Sequence, residues 1–353
     1  MKNYLIVQKI KPKTIAIIGA GWFGCHIGNE LIKKKFEITI FEKEKHIFKN
    51  GSGNNTNRLH LGYHYPRSKK TRKMSFNGYQ KFIKKYPNFS KSLNKNIYAI
   101  AKDDSNMMTP KTFEKSIRQS NLKLSNISLN SISLKNITKA YNTNERQINH
   151  EKAKNFFKKI LKKNILYEKN IKTIKKINNK YLIDNKVFDY VINCTWQQSF
   201  KSKDFNLTYE HCLISLYKPK NKKHHSYTIM DGPFYTLIEW SNNIFALYSV
   251  TNSRVLTSKN LQKVQKSFNK LSAKGELEIK KQIENGFLKF YPDFKKNFTF
   301  IKNLNSIRTI IKNKKDARIC VVKNKDNFIN ILSGKIDHIF YASEEVLKYL
   351  KKN

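Results

Sequence analysis

The chain has 353 residues and carries 70 Lys and Arg against 25 Asp and Glu, a formal net charge of +45 at pH 7. Hydrophobic residues make up 39% of it and aromatics 12%, spread along the whole length, which excludes a disordered polyelectrolyte and leaves room for two or three folded domains. Charge of this sign attracts phosphates in general, but the basic residues are mostly lysine, occur in nearly every segment and accompany abundant Asn and Ile. Compositional drift accounts for that pattern better than a nucleic-acid surface, which would cluster on one face, so nucleic acid is disfavoured as a partner.

The four cysteines, Cys25, Cys194, Cys212 and Cys320, form no CxxC pair and read as free thiols of a reducing compartment. The apolar run Tyr4 to Val7 is too brief for a signal-peptide core, and no stretch approaches the ~18 apolar residues of a membrane span. A cytoplasmic protein with no membrane insertion is expected. Neither a zinc-ligand spacing nor a Ser-His-Asp pattern is present, so no metal is predicted.

In chain order, Thr14 to Gly19 (TIAIIG) reads as a buried strand, Trp22 to Lys35 as a helix and Glu37 to Glu42 (EITIFE) as a second strand. Lys49 to Asn57 is a Gly- and Asn-rich loop, and Thr71 to Tyr86 has helical spacing. Residues 97 to 141 break into short strand-like pieces with a helix at Thr109 to Ser120. Asn149 to Lys163 is predicted as an amphipathic helix with Ala153, Phe156, Phe157, Ile160 and Leu161 on its buried face. Strands follow up to Cys194, and Tyr209 to Val250 alternates as an antiparallel sheet. Asn260 to Phe290 is helical, Ile307 to Val322 extended, Phe328 to Leu332 a strand, and the end a helix from about Asp337.

The first strand runs directly into Gly19-Ala20-Gly21-Trp22-Phe23-Gly24. Gly19 permits the tight turn, Gly21 lets backbone approach a pyrophosphate, and Gly24 allows close helix-to-strand packing. The helix start at Trp22 and Phe23 offers unpaired N–H groups and a positive dipole end to phosphates. Glu42, with Lys43 after it, closes the second strand where a carboxylate accepts the hydroxyls of an adenosine ribose. Strand, glycines, helix, strand and acid in this order indicate a dinucleotide; FAD and NAD both fit the motif.

Gly19 to Glu42, the run Arg58 to Pro66 (RLHLGYHYP) and Asn193-Cys194-Thr195 together resemble the FAD-dependent D-amino-acid oxidase superfamily. The resemblance implies an α/β fold: a Rossmann-like FAD/NAD(P)-binding domain with an inserted, mainly antiparallel substrate domain. The cofactor segments would be 1–88, 145–208 and 305–353, and the substrate segments 89–144 and 209–304. It implies FAD as cofactor, with His60, Gly62, His64 and Tyr65 beside the flavin; Arg58 is a cofactor-site candidate on its own chemistry, a planar fork for a carboxylate or phosphate. Thr195 would approach the cofactor, and Trp196 stands where the family has glycine. The Ser333-Gly334-Lys335-Ile336 turn resembles the family's late strand-to-helix turn without its Gly-His-Gly-Gly pattern.

A flavin accepts hydride at N5, so the site needs a base and positive potential near the pyrimidine ring. His60 and His64 are candidate bases, with Tyr65 beside them, and Lys335 with the last helix start is the candidate for the potential. Gly62 and Pro66 argue against a helix that would turn His60 and His64 into a metal pair. Tyr235, Tyr248 and Arg308 are candidates for a small polar, anion-compatible substrate. The expected activity is hydride transfer from a CH–OH or CH–NH carbon of a sugar, hydroxy acid or amino acid. The alternatives are a redox-neutral flavin-dependent sugar-nucleotide isomerase resembling UDP-galactopyranose mutase, and a tRNA-modifying flavoprotein.

Overall fold

A computed structural model describes residues 12–221, 224–232, 234–311 and 317–351; the run Tyr4 to Val7 and part of the extended stretch predicted at 307–322 lie outside them. The segment TIAII is apolar on both faces, as a central parallel strand must be, and Ile15, Ala16 and Ile17 are fully buried. It forms the strand Thr14–Ile18, flanked in parallel by Glu37–Phe41 and Tyr190–Asn193. The sheet continues to Ile165–Leu166 on one side and to Phe328–Leu332 on the other, where Val321–Lys325 adds an antiparallel edge.

One face of this sheet carries the helix Trp22–Lys33, which itself packs on the C-terminal helix Ile339–Lys351. A Cβ on Gly28 would stand 2.9 Å from Ile40 Cδ1, so glycine here lets the helix lie close on the strands. The opposite face is covered by a three-stranded meander, Lys175–Ile177, Lys180–Ile183 and Lys186–Phe188. Tyr181, Ile183 and Phe188 of the meander close a core over Ala16, Ile18, Phe41 and Val191.

The second sheet is mainly antiparallel. From one edge its strands are Arg254–Ser258, Leu207–Pro219, Ile244–Ser249, Tyr235–Ser241, Ser226–Met230, Asn96–Ala101, Ile137–Thr143 and Ser125–Ile127, and Phe298–Ile311 runs along Leu207–Pro219. The pair Ser226–Met230 and Asn96–Ala101 is parallel. Helix Ala273–Leu288 seals one face of this sheet with Ile283 and Phe287 against Leu213, Tyr217 and Leu237.

Three details differ from the sequence expectations. The single helix predicted over 260–290 is two, Leu261–Lys270 and Ala273–Leu288, because Ser272 accepts from Gly275 N–H and starts a new helix. Strand Phe298–Ile311 runs unbroken through residue 304, where the expected substrate segment ended. In helix His150–Ile160, Ala153 and Phe157 are buried but Phe156 and Ile160 are 38% and 36% exposed; the neighbours cover a narrower stripe than the apolar spacing offers.

Two histidines are buried beside the parallel sheet. His26 lies between Tyr86 Oη (2.8 Å) and Ser343 Oγ (3.1 Å), and His338 contacts Ser333 Oγ at 2.9 Å. Burial, with Lys85 and Lys33 nearby, lowers His26 to about 3; burial, partly opposed by Asp337, lowers His338 to about 4. Below the ordinary histidine value the unfolded chain therefore takes up protons that the native chain refuses. Stability is expected to fall as pH drops from about 6.5 toward 4, by up to about 1.4 kcal/mol per pH unit for each histidine. Urea unfolding midpoints at pH 7 and pH 5 check this, and His26→Gln should flatten the dependence; equal midpoints would contradict it.

Candidate active site

The turn after the first strand is shaped by contacts that leave no room for side chains. Gly19 has φ +99, and a Cβ there would lie 3.1 Å from the Cys194 carbonyl oxygen. A Cβ on Gly24 would come within 1.9 Å of the Gly19 carbonyl oxygen, so the helix seats directly on the turn. Gly21 is extended and supplies no side-chain cap of its own to the helix start. A Cβ on Gly21 would meet Ser52 Oγ at 2.6 Å, and Ser52 Oγ accepts the Trp22 N–H at 3.0 Å.

Glu42 is fixed beside this turn. Its Oε2 accepts the Ala20 N–H at 2.7 Å and its Oε1 the Glu44 N–H at 3.0 Å. The residue is 7% exposed and lines the cleft. Burial raises its carboxyl above the ordinary value, and the two backbone N–H groups oppose that rise. Each oxygen retains a lone pair for a ribose hydroxyl.

From this turn one continuous cleft reaches to His60, His64, Tyr248 and Arg308. The short strand Arg58–Leu59 pairs with Arg146–Ile148 and delivers the histidine segment. Gly62 then turns it at φ +125, against the backbone of Arg72. The His60 and His64 rings are 5.3 Å apart, and His64 also packs on Tyr65 at 5.3 Å and on Phe234 at 4.6 Å.

Behind the histidines lies Glu145, fully buried. It accepts the Leu61 N–H at 2.9 Å and the Tyr98 hydroxyl at 2.7 Å. Arg58 Nη1 is 3.5 Å away and His60 Nδ1 3.6 Å. Burial alone would raise the Glu145 carboxyl, but His60, Arg58 and Tyr98 outweigh it and hold it well below the usual carboxylate range. Burial, together with Lys335, lowers His60, with Glu145 partly opposing. The arrangement is thus an ionised Glu145 paired with Arg58, beside a neutral His60.

Lys335 is 6% exposed, its Nζ has no hydrogen-bond partner, and it stands 4.2 Å from the centre of the Tyr65 ring. It is a buried cation of the cleft, not a surface lysine. On the second sheet Arg308 lies directly opposite Glu210 and pairs with it through Nε. The Arg308 guanidinium is 5.8 Å from the Tyr248 ring, and the Tyr248 hydroxyl is buried without a partner.

The cleft brings together Gly19, Gly21, Trp22, Phe23, Glu42, Lys43, Arg58, His60, His64, Tyr65, Thr195, Trp196, Tyr248, Arg308, Gly334, Lys335 and Ile336. It does not include Gly24 or Gly62, whose close contacts are with protein backbone. Tyr235 is a correction: it is core, packed on Phe287 and Phe290 and bonded to Asn252. Neighbouring strand residues face opposite ways, and it is Thr236, paired with Tyr248, that faces the cleft. Sequence reasoning missed Ser52 and Glu145. The Gly-rich loop around Ser52 carried a signal; the segment around Glu145 carried none. Among the described residues no group of His, Cys, Asp and Glu is placed to hold a metal ion, and no helix is long and apolar enough to cross a membrane.

Comparison with known proteins bears on this cleft. The chain is 28% identical to the FAD-dependent monooxygenase FPY4 of Fusarium mangiferae over 97% of its length and 92% of the relative. It is 27% identical to the FAD-dependent monooxygenase kojA of Aspergillus flavus, over 94% of the chain and 84% of the relative. The fold is similar to the dithionite-reduced L-alpha-glycerophosphate oxidase of Mycoplasma pneumoniae with FAD bound (TM-score 0.74, 14% identity, covering 97% and 95% of the two chains). It is also similar to glycine oxidase from Geobacillus kaustophilus (TM-score 0.72, 11% identity, covering 96% and 94%).

The residues present fit FAD: the glycine turn and the start of helix Trp22–Lys33 line the cleft, and Glu42 beside them has lone pairs for the ribose. Glu42→Ala is expected to cost on the order of 1.5–3 kcal/mol of FAD affinity, roughly a ten- to hundred-fold rise in Kd, since it removes hydrogen bonds to a charged group. Flavin fluorescence titration of the apoprotein measures it, and an unchanged Kd would remove Glu42 from the cofactor site. Residues 14–296 match the family described as FAD dependent oxidoreductase, and the chain belongs to that family.

Proposed function

We propose that this FAD-dependent oxidoreductase takes a hydride from a CH–OH or CH–NH carbon of a small metabolite that carries an anionic group. The observation behind this reading is the chemistry of the cleft, which is lined by Arg308 and Lys335 as well as by His60 and His64, both neutral. Bound FAD supplies a hydride acceptor at N5. A guanidinium matches a carboxylate or phosphate with two parallel hydrogen bonds, and Glu210, by engaging Nε, fixes the side chain of Arg308. Tyr248, on the strand Ile244–Ser249, sets its ring beside the Arg308 guanidinium.

His60 is the proton acceptor in this reading. Glu145 lies on the Nδ1 side of the ring, which orients it and leaves Nε2 as the basic atom. As the substrate carbon loses hydride, its hydroxyl or amine proton passes to Nε2, and a carbonyl or imine results. Lys335, buried and without a hydrogen-bond partner, would supply positive potential to a flavin held in this cleft. His64 and Tyr65 wall the site and exclude water.

A second reading, insertion of oxygen into the substrate, is favoured by the names of the fungal relatives. Anaerobic addition of hydroxy- and amino-acid anions and sugar phosphates separates the two. Hydride transfer predicts bleaching of the flavin absorbance without dioxygen, whereas monooxygenation predicts none and places one labelled atom from 18O₂ in the product. For the substrate found, Arg308→Lys should raise KM about ten-fold or more with little change in kcat. His60→Gln should lower kcat by about 10²–10⁴-fold with KM nearly kept. An unchanged KM in the first variant would rule out the anion subsite.

A further inference from the structure

Trp196 occupies a position no local rule explains. Its backbone is left-handed, φ +56, followed by Gln197 at φ +59, a conformation that is costly for residues of this size. The surroundings hold it there. Gln197 is fully buried; it donates to Asn330 Oδ1 at 3.1 Å, accepts the Ser202 N–H at 2.8 Å, and its carbonyl accepts the Tyr209 hydroxyl at 3.2 Å.

The indole so presented lies between two glycines. A Cβ on Gly51 would stand 3.0 Å from Trp196 Cζ3, and one on Gly334 would stand 2.6 Å from Cζ2. Neither glycine has a positive φ, so neither needs glycine for its backbone conformation. What they have in common is clearance for the indole. Gly51 adjoins Ser52, which sits at the start of the glycine-turn helix; Gly334 adjoins Lys335, which sits over Tyr65 at the other end of the cleft. The indole therefore bridges the two loops midway, and its Nε1 is buried with no partner.

We propose that Trp196 is a clasp on the cofactor: its indole locks the Gly51 and Gly334 loops together beside the middle of the cleft, where the arm joining the adenosine and flavin ends of FAD must pass. The clasp sets how fast FAD leaves. This requires only the cofactor and is independent of the substrate.

Release of FAD from the holoprotein, followed by the growth of flavin fluorescence on dilution, tests it. Trp196→Gly should release FAD about ten-fold faster or more, since loosening one wall of a binding site acts mainly on the dissociation rate. Gly334→Ala should also speed release in the native background, but add nothing in the Trp196→Gly background, because the two act through the same indole. Intrinsic fluorescence gives a second reading that needs no unfolding-prone variant: the emission missing from Trp196→Phe should be the part that FAD quenches most. A native release rate in Trp196→Gly, an equal effect of Gly334→Ala with and without the indole, or emission from Trp196 that FAD does not quench would each overturn the clasp.

Discussion

The seating of one helix on one turn governs the rest of the molecule. The Gly19 carbonyl lies where a Cβ on Gly24 would come within 1.9 Å, so the helix Trp22–Lys33 begins on top of the strand that precedes it. From that closeness its N-terminus faces the crevice at the carboxyl ends of the parallel strands, which is where ligands of such sheets bind. Cys194 closes the turn from the neighbouring strand, and Glu42 from the strand on the other side. Three strands thus end at one point, and the long cleft starts there.

The other end of the cleft depends on a different kind of constraint. A buried carboxylate and guanidinium together cost several kcal/mol of desolvation, and their attraction repays it only if further hydrogen bonds are made. Glu145 makes them, to the Leu61 N–H and the Tyr98 hydroxyl, and so ties the histidine segment to the first strand of the inserted sheet. An apolar pair of similar size would fill the space as well. What it would lack is a fixed negative charge beside the His60 ring, 3.6 Å from Nδ1.

The net charge of +45 contributes little to this architecture. Most of the lysines that form ion pairs do so near the surface, as in Lys81 with Glu344 and Lys348 with Glu345, where such pairs are worth ~0–1 kcal/mol. The cleft has exposed lysines at its rim, Lys43 and Lys169 among them, and buried cations within, Arg58, Lys335 and the partly covered Arg308. Their effect comes from placement in a site shielded from water, where charge is screened least.

The sequence alone determined the cofactor half of the protein. The strand TIAII, the glycines at 19, 21 and 24 and the acid at 42 lie within one short βαβ stretch, where spacing fixes geometry because the intervening helix and strand have set lengths. Tertiary structure decided what depends on residues far apart in the chain. Glu145 meets His60 across 85 residues of separation by way of a three-stranded sheet, and Trp196 meets Gly51 and Gly334 only because three loops converge on one rim. The choice between Tyr235 and Tyr248 came down to strand parity: alternation says that neighbours face opposite ways, but which face looks into the cleft is set by the helix Ala273–Leu288 packed on the other side.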